Sequence, residues 1–261
     1  MTLVTGKVAL VTGAGSGIGR AAALHLAAEG FSVGLLGRTE SELQAVKNEI
    51  SALSGASKVL VADVAEEAVM RHSVAELVDA FGRLDVVVAN AGVNGVWAPI
   101  DELTPSEWDD TIRINLRGTY LTIHASVPHL KAAGGGSIII VSSINGTRTF
   151  NSPGATAYSV TKAGQLAMAQ QLALELGRHR IRVNAVCPGE IETAIDENTD
   201  IRGRDRTEVP VRFPAGDIPV TGGVAGTSED VAALIGFLAS DQSRHITGTP
   251  VWIDGGQGLL R

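Results

Sequence analysis

Short runs of apolar residues alternate with longer segments of helical period along most of the chain. The apolar runs lie at 7–13, 32–37, 58–63, 85–90, 137–143, 181–187 and 249–256. They are nearly continuous, which is typical of parallel strands buried on both faces. Helix-sized connections require parallel strands, and right-handed crossovers then cover both faces. The pattern therefore predicts an α/β fold, a doubly wound sheet of about seven parallel strands with helices on both faces.

One segment interrupts this rhythm. Residues 194–226 hold three prolines, many charges and no sustained apolar period. Long loops in compact domains are often functional, so we expect this segment to be a mobile lid over a ligand site. A disordered surface loop is the alternative.

Composition narrows the classes of protein to consider. Apolar residues make up 44% of the 261 positions, which suits one packed domain, and the net charge of -7 argues against a nucleic-acid binder. The single cysteine excludes an internal disulfide framework, and the six histidines show no metal-ligand spacing, so we expect no metal. We see neither a secretory signal nor an apolar run approaching the roughly 18 to 20 residues of a membrane span. The protein is therefore expected to be soluble and cytoplasmic.

A glycine-rich stretch, TGAGSGIG at 12–19, follows the first predicted strand and leads into a helix. Glycines there let the backbone turn sharply and approach a pyrophosphate, while free N–H groups at the helix start favour an anion. A tight turn with no ligand is the plainer alternative.

Tyr158 and Lys162 are four residues apart, so on a helix they project from the same face. A tyrosine, with an ordinary pKa near 10, is a poor base at neutral pH, but a nearby ammonium favours the phenolate. This pair predicts an acid/base centre. A surface tyrosine and lysine on an alanine-rich helix is the alternative.

Together, Gly13-x-x-x-Gly17-x-Gly19 and Tyr158-Ser-Val-Thr-Lys162 resemble the short-chain dehydrogenase/reductase family. Further matches follow in order along residues 7–256: Asp63-Val64, Asn90-Ala91-Gly92, Asn115, Ser142-Ser143, Asn184, Pro188-Gly189, Thr193 and Asp254-Gly255-Gly256. The resemblance implies that residues 1–261 form one Rossmann-like dinucleotide-binding and catalytic domain. It also implies an oxidoreductase that moves a hydride between a nicotinamide cofactor and a carbonyl or secondary alcohol.

Site residues follow from the resemblance. The catalytic set implied is Asn115, Ser143, Tyr158 and Lys162, with Ser142 as the alternative serine. Tyr158 is the acid/base, Ser143 hydrogen-bonds the substrate oxygen, and Asn115 holds a water that links Lys162 to solvent, or else makes a structural hydrogen bond. The residues implied to bind the cofactor, besides Tyr158 and Lys162, are Gly13, Gly15, Ser16, Gly17, Ile18, Gly19, Arg38, Asp63, Val64, Asn90, Ala91, Gly92, Pro188, Gly189, Ile191 and Thr193.

The substrate is less well defined. The separation between Ser143 and Tyr158 is longer than the family's common pattern, so the loop between them carries an insertion. The inserted residues either reshape the pocket or form a longer solvated turn. Candidate substrate contacts are Trp97, Asn145, Phe150 and Ile195. The arginines of 194–226 alternate with acidic residues, which favours a salt-bridged solvent face over an anion site.

The end of the second predicted strand bears on the cofactor. An acidic residue there pairs with the ribose hydroxyls of NAD and repels a 2′-phosphate, but here Gly37 takes that place and Arg38 follows. NADP is therefore the preferred cofactor, although Ser16 in the glycine loop and the nearby Glu40 argue for NAD as the alternative.

The leading hypothesis is an NADP(H)-linked alcohol dehydrogenase or ketone reductase acting on a small molecule. The alternatives are an NAD(H)-dependent enzyme of the same type and a non-catalytic nucleotide-sensing or scaffold protein. A dehydratase or epimerase fits less well, since no separate substrate domain is evident. Apolar Trp252 and Ile253 on the last strand lead us to expect a homotetramer, with a dimer as the next choice.

Overall fold

The computed structural model describes residues 6–192, 199–209 and 217–260. The strands are β1 (Val8–Thr12), β2 (Ser32–Gly37), β3 (Ser57–Val61), β4 (Val86–Ala89), β5 (Val96–Trp97), β6 (Gly136–Val141), β7 (Ile181–Pro188), β8 (Asp200–Ile201) and β9 (Pro250–Ile253). Seven parallel strands form one sheet in the order β3-β2-β1-β4-β6-β7-β9, and β5 and β8 form a separate parallel pair. The predicted seven-stranded, doubly wound sheet is confirmed.

Helices cover both faces of this sheet. They are α1 (Gly17–Ala28), α2 (Glu40–Ala52), α3 (Glu67–Phe81), α4 (Pro105–Thr111), α5 (Gly118–Ala132), α6 (Thr156–Gly177), α7 (Arg204–Thr207) and α8 (Ser228–Ala239), with a π-helical segment at Ile112–Arg117 that joins α4 to α5. One core cluster packs α1, α2 and α8 on the sheet, and a second packs α3, α5 and α6 on the opposite face.

Alternation along β1 explains how one strand serves two cores. Val8 and Leu10 belong to the α3/α5/α6 cluster, while Ala9 and Val11 belong to the α1/α2/α8 cluster, and all four are at most 1% exposed. Successive side chains point to opposite faces of a strand, so both sets must be apolar. The near-continuous apolar runs of the sequence are the direct consequence.

Several predicted strands extend beyond the observed ones at their carboxyl ends. The run predicted at 137–143 ends at Val141, and the run predicted at 249–256 ends at Ile253. The residues beyond these points are polar or glycine, and they leave the sheet where the strand ends meet. In a doubly wound sheet this edge is where ligands bind.

The segment predicted as a lid contains regular structure in its described part. Strand β8 pairs with β5 in the register Val96↔Asp200 and Trp97↔Ile201. Arg202 lies 2.6 Å from Glu107 of α4, and Arg206 forms an ion pair with Glu102. Long-range pairing and ion pairs therefore join this part of the segment to the neighbourhood of α4.

Thr12 ties the end of β1 to the end of β4. Its hydroxyl donates to the Val88 carbonyl at 3.3 Å and accepts from the backbone N–H groups of Asn90 at 3.0 Å and Ala91 at 3.1 Å. The side-chain Nδ2 group of Asn90 donates a hydrogen bond to the Thr12 backbone carbonyl at 3.0 Å. Thr12 is only 1% exposed, so this hydroxyl replaces water for both N–H groups.

Thr12→Val keeps the shape of the side chain but leaves these two N–H groups without their acceptor. We expect the free energy of unfolding to fall by about 2 to 6 kcal/mol, since each of the two buried unsatisfied donors costs about 1 to 3 kcal/mol. Urea denaturation of the nucleotide-free protein measures this change. Thr39→Val is the matched control, because Thr39 is exposed and its side chain makes no capping hydrogen bond. Equal stability of the two variants would show that the Thr12 hydroxyl does not hold the strand ends together.

Candidate active site

Two adjoining cavities open at the carboxyl ends of the central strands. The first, here the loop cavity, has a volume of about 620 Å³ and lies between the glycine loop, the start of α2 and the residues after β3 and β4. The second, here the tyrosine cavity, has a volume of about 650 Å³ and surrounds Tyr158. Ile18, Asn90 and Gly92 are among the residues that line both. One long ligand can therefore occupy both cavities at once.

The glycine loop forms the inner wall of the loop cavity. Gly13 has a φ of +67°, and a Cβ added at Gly19 would come within 2.0 Å of the Gly13 carbonyl oxygen. Ser16 is the N-cap residue of α1 but makes no side-chain capping hydrogen bond. The backbone is thus free to approach a ligand at an open helix start, which fits the phosphates of a dinucleotide.

The structure brings most of the predicted cofactor residues to these two cavities. Those lining the loop cavity are Gly13, Gly15, Ser16, Gly17, Ile18, Arg38, Asp63, Val64, Asn90, Ala91 and Gly92. Those lining the tyrosine cavity include Tyr158, Lys162, Pro188, Gly189 and Ile191. Gly19 lies behind the loop, where it permits close packing, and Thr193 lies outside the described residues.

The outer end of the loop cavity carries charges of both signs. Arg38 is exposed and lines the cavity, and it forms no ion pair within the described part of the chain. Glu42, in the first turn of α2, also lines the cavity, and its carboxylate lies within 2.7 Å of the position that a Cβ on Gly15 would take. The sequence pointed to Glu40 as the nearby carboxylate, but the one that lines the cavity is Glu42, two residues further along the helix.

Asp63 is held in place by the backbone and by Arg113. Its carboxylate accepts from the Ala65 N–H at 2.9 Å and from Arg113 at 3.2 Å. Burial acts to raise the pKa of Asp63, but these hydrogen bonds and the charges of Arg113 and Arg38 outweigh it, so the pKa lies below its ordinary value. Helix α3 begins later, with Glu66 as its N-cap, so Asp63 closes the preceding turn instead of capping the helix.

Tyr158 and Lys162 project from the first turns of α6 into the tyrosine cavity. The Lys162 Nζ atom lies 5.4 Å from the centroid of the Tyr158 ring and donates to the Val141 carbonyl at 3.0 Å. Burial lowers the pKa of Lys162 to about 8, with the neighbouring Cys187 acting in the opposite direction. At neutral pH the lysine therefore still carries its charge, and that charge lies beside the aromatic ring.

The two serines after β6 have different surroundings. The Ser142 hydroxyl donates to the Lys162 carbonyl at 2.8 Å, which ties β6 to α6. The Ser143 hydroxyl accepts from the Asn145 N–H at 3.1 Å and lines the cavity. Among the described residues it donates to no acceptor, so its O–H is available to a ligand. Of the two, Ser143 is the better placed to donate to a ligand oxygen.

Asn115 is completely buried in the π-helical segment. Its side chain accepts from the Val93 N–H at 2.8 Å and donates to the Val93 carbonyl at 2.9 Å and to Thr161 at 3.2 Å. Its backbone carbonyl accepts from Thr119 at 2.7 Å and Gln165 at 2.9 Å. Asn115 thus joins the loop after β4 to the residue that precedes Lys162.

Two of the four candidate substrate residues line the tyrosine cavity. The Trp97 ring lies 6.1 Å from the Tyr158 ring, and Asn145 lies on the loop between β6 and α6. The Phe150 side chain is 77% exposed and is not among the residues that line the cavity, although its neighbours Thr149 and Asn151 are. Ile195 lies outside the described residues.

Several residues of the site were not found by sequence reasoning. Besides Glu42, the structure adds Asn94, Ser152, Gln257 and Leu260, all of which line the tyrosine cavity. Gln257 and Leu260 come from the carboxyl-terminal segment, which reaches the cavity through the turn after β9. The polar run at 144–152 was a usable signal for Ser152, whereas nothing local in the sequence marks Gln257.

Among the described residues, no group of three or more His, Cys, Asp or Glu side chains is arranged to hold a metal ion. No helix in the described ranges combines the length and the apolar character needed to cross a membrane.

Known proteins with similar sequences cover nearly the whole chain. A family model described as enoyl-(acyl carrier protein) reductase matches residues 13–257. A 3-oxoacyl-(acyl-carrier-protein) reductase from Thermotoga maritima is 37% identical over 251 residues, covering 96% of this chain and 97% of the relative. An L-rhamnose 1-dehydrogenase (NAD(P)(+)) from a Sphingomonas species is 37% identical over 259 residues, covering 98% of each.

The fold is also that of solved enzymes. A structure described as a 3-ketoacyl-ACP reductase from Sinorhizobium meliloti superimposes with a TM-score of 0.94 at 63% identity, covering 97% of this chain and all of the other. These relatives share the reduction of carbonyl groups or the oxidation of hydroxyl groups, and they differ in substrate. The chain therefore belongs to the short-chain dehydrogenase/reductase family, as an oxidoreductase that transfers hydride between a nicotinamide cofactor and a carbonyl or alcohol.

Proposed function

We propose that this protein is an NADP(H)-dependent ketone reductase or secondary alcohol dehydrogenase in which Tyr158 is the acid/base. The observation that carries the proposal is the arrangement in the tyrosine cavity. Tyr158 has a buried lysine ammonium 5.4 Å from its ring centroid, and Ser143 opens into the same cavity. The cavity adjoins a glycine loop suited to a dinucleotide.

The cofactor and three side chains have separate roles in the proposed reaction. The bound nicotinamide supplies a hydride to the carbonyl carbon or accepts one from the alcohol. Ser143 donates a hydrogen bond to the substrate oxygen, and the Tyr158 hydroxyl gives that oxygen a proton in reduction and takes one in oxidation. The Lys162 ammonium favours the phenolate that remains after the proton has left.

Asn115 and the lid complete the proposal. We assign Asn115 the proton-relay position, since it is buried next to α6 and bonds to Thr161, which directly precedes Lys162. We propose that 194–226 covers bound substrate. Arg204 and Asp217 from its described part line the tyrosine cavity, which supports this assignment.

The preference for NADP(H) rests on Arg38. Its exposed guanidinium lines the loop cavity directly after Gly37, which takes the position where an acidic residue would repel a 2′-phosphate. Glu42 opposes this preference, because its carboxylate lines the same cavity. NAD(H) is the alternative cofactor.

We propose that four copies associate. The outer side of α6 carries Val160, Ala163, Ala167 and Leu174 at exposed positions spaced for a single stripe, and Leu174 is 84% exposed. Strand β9 is a sheet edge within the described residues, which suits pairing across a second contact. Two separate surfaces allow a homotetramer, while the α6 stripe alone gives a dimer.

Tyr158→Phe tests the acid/base assignment. Removing this hydroxyl is expected to lower kcat by about 10² to 10⁴-fold with little change in dinucleotide affinity, the range typical of a lost general acid or base. Steady-state kinetics with a ketone that the unmodified protein reduces measure this loss of kcat. The chain's other tyrosine supplies the control: Tyr120 is half exposed on α5, and Tyr120→Phe should retain normal kcat. Full activity in Tyr158→Phe would remove Tyr158 from the mechanism.

Separate fluorescence titrations with NADPH and NADH test the cofactor preference. Arg38→Ala is expected to weaken NADPH binding about 10 to 100-fold, since a charge-assisted hydrogen bond contributes about 1.5 to 3 kcal/mol, and to leave NADH binding nearly unchanged. Glu42→Gln should strengthen NADPH binding several-fold, whereas Glu40→Gln, whose side chain does not line the cavity, should not. Tighter binding of NADH than NADPH by the unmodified protein would overturn the assignment.

Sedimentation at micromolar concentration tests the assembly. The unmodified protein should sediment as a tetramer, and Leu174→Glu should shift it to smaller species, because a charge would be buried in the apolar contact. Leu53→Glu, at a residue 65% exposed at the end of α2, is the matched control and should leave the tetramer intact. A stable monomer of the unmodified protein would contradict the proposal.

A further inference from the structure

Many of the side chains that line the tyrosine cavity are amides or hydroxyls, alongside apolar ones such as Ile144 and Leu260. One group of them comes from the loop after β4, the loop after β6 and the carboxyl-terminal segment. These residues are Asn94, Asn145, Thr149, Asn151, Ser152 and Gln257. A cavity built for an unfunctionalised carbon chain would instead be mostly apolar.

Asn145 is oriented by its own loop. Its Oδ1 atom accepts from the hydroxyls of Thr149 at 3.1 Å and Ser152 at 2.9 Å. Its Nδ2 group donates to no side chain or backbone atom in the described part of the protein, so its two N–H bonds are available to a ligand. The two hydroxyl oxygens keep lone pairs that can accept from a ligand.

Gln257 has the same arrangement on the carboxyl-terminal segment. Its Oε1 atom accepts from the Glu190 N–H at 2.9 Å, which fixes the amide against the turn after β7. Across the ranges that the structure describes, its Nε2 group has no acceptor, and the residue lines the cavity. Two amide donors, each held by its own oxygen, therefore line one cavity.

Trp97 adds an apolar surface to the same cavity, beside Tyr158. Its Nε1–H donates to the Asn94 carbonyl at 3.1 Å, so the polar edge of the indole is already satisfied. Its ring lies 6.1 Å from the Tyr158 ring at an angle of 50°. A polyhydroxylated molecule suits this wall, because its C–H groups can pack on an aromatic ring while its hydroxyls reach the amides.

The charges around the cavity disfavour an anionic substrate or carrier. Glu190 and Asp217 line the cavity. Of the arginines from the described part of the lid, Arg204 lies 3.4 Å from Glu208, and Arg202 and Arg206 pair with Glu107 and Glu102. A phosphorylated thioester carrier would meet carboxylates and arginines that are already paired.

We propose that the substrate is a small, uncharged, hydroxyl-rich alcohol or carbonyl compound of the aldose, alditol or cyclitol class. Asn145 and Gln257 donate to its hydroxyls while Ser143 and Tyr158 bind the reacting oxygen. This inference rests on the proposed function, since it concerns the same cavity and the same acid/base.

Matched substrates test this class. Rates of cofactor reduction or oxidation would be measured with a panel of aldoses, alditols and cyclitols, with cyclohexanol, and with the acetoacetyl thioester of N-acetylcysteamine. We expect kcat/KM for the best hydroxylated compound to exceed the other two by about 100-fold or more, the discrimination that unpaired polar groups in a site impose. Faster turnover of cyclohexanol or the thioester overturns the substrate class and leaves the proposed function intact. Binding of NADPH without turnover of any compound overturns both.

Two variants test whether Asn145 and Gln257 donate hydrogen bonds to the substrate. Asn145→Leu and Gln257→Met each remove an amide donor, so each should raise the KM for the hydroxylated substrate about 10-fold, while turnover of cyclohexanol is unchanged or improved. The readout is the ratio of the two kcat/KM values, which a loss of folded protein does not alter. Asn48→Leu and Gln44→Met, at an exposed amide pair on α2, are the matched controls and should leave the ratio unchanged. An unchanged ratio in both cavity variants would overturn the assignment of the two donors.

Discussion

Burial of the central sheet on both faces is the constraint on which the rest of this molecule depends. Side chains of β1 and β4 must be apolar on either face, because each face packs against helices. Polar groups are therefore confined to the strand ends, where Thr12, Asn90 and Ser143 lie just at or beyond the sheet. The polar side chains of the site therefore lie together at the carboxyl ends of the strands, because the core on both faces of the sheet is apolar.

The same constraint explains which parts of the fold could be predicted from the sequence. The seven buried strands appear as apolar runs that need no knowledge of their neighbours. The β5–β8 pair could not be predicted, since each strand has two residues and its pairing joins Val96 to Asp200 across the chain. The π-helical segment was also missed, because Ile112–Arg117 has the apolar spacing of an ordinary helix.

In the site, local motifs located residues whose role depends on local geometry, such as Gly13, Tyr158 and Lys162. The direction in which a loop side chain points was harder to predict. Phe150 and Asn145 lie on one loop, yet the amide enters the cavity and the phenyl ring faces solvent. Gln257 reaches the cavity only because the last strand returns the chain to it, so its part in the site is a property of the assembled fold.

Lys162 shows how such a site tolerates a buried charge. Burial disfavours the ammonium and lowers its pKa to about 8, while its hydrogen bond to the Val141 carbonyl offsets part of that cost. Burial acts oppositely on the adjacent Cys187 and raises its pKa to about 11, so at neutral pH the thiol stays uncharged. A thiolate there would neutralise the lysine. With the thiol neutral, the ammonium remains positive, and its Nζ atom lies 5.4 Å from the centroid of the Tyr158 ring.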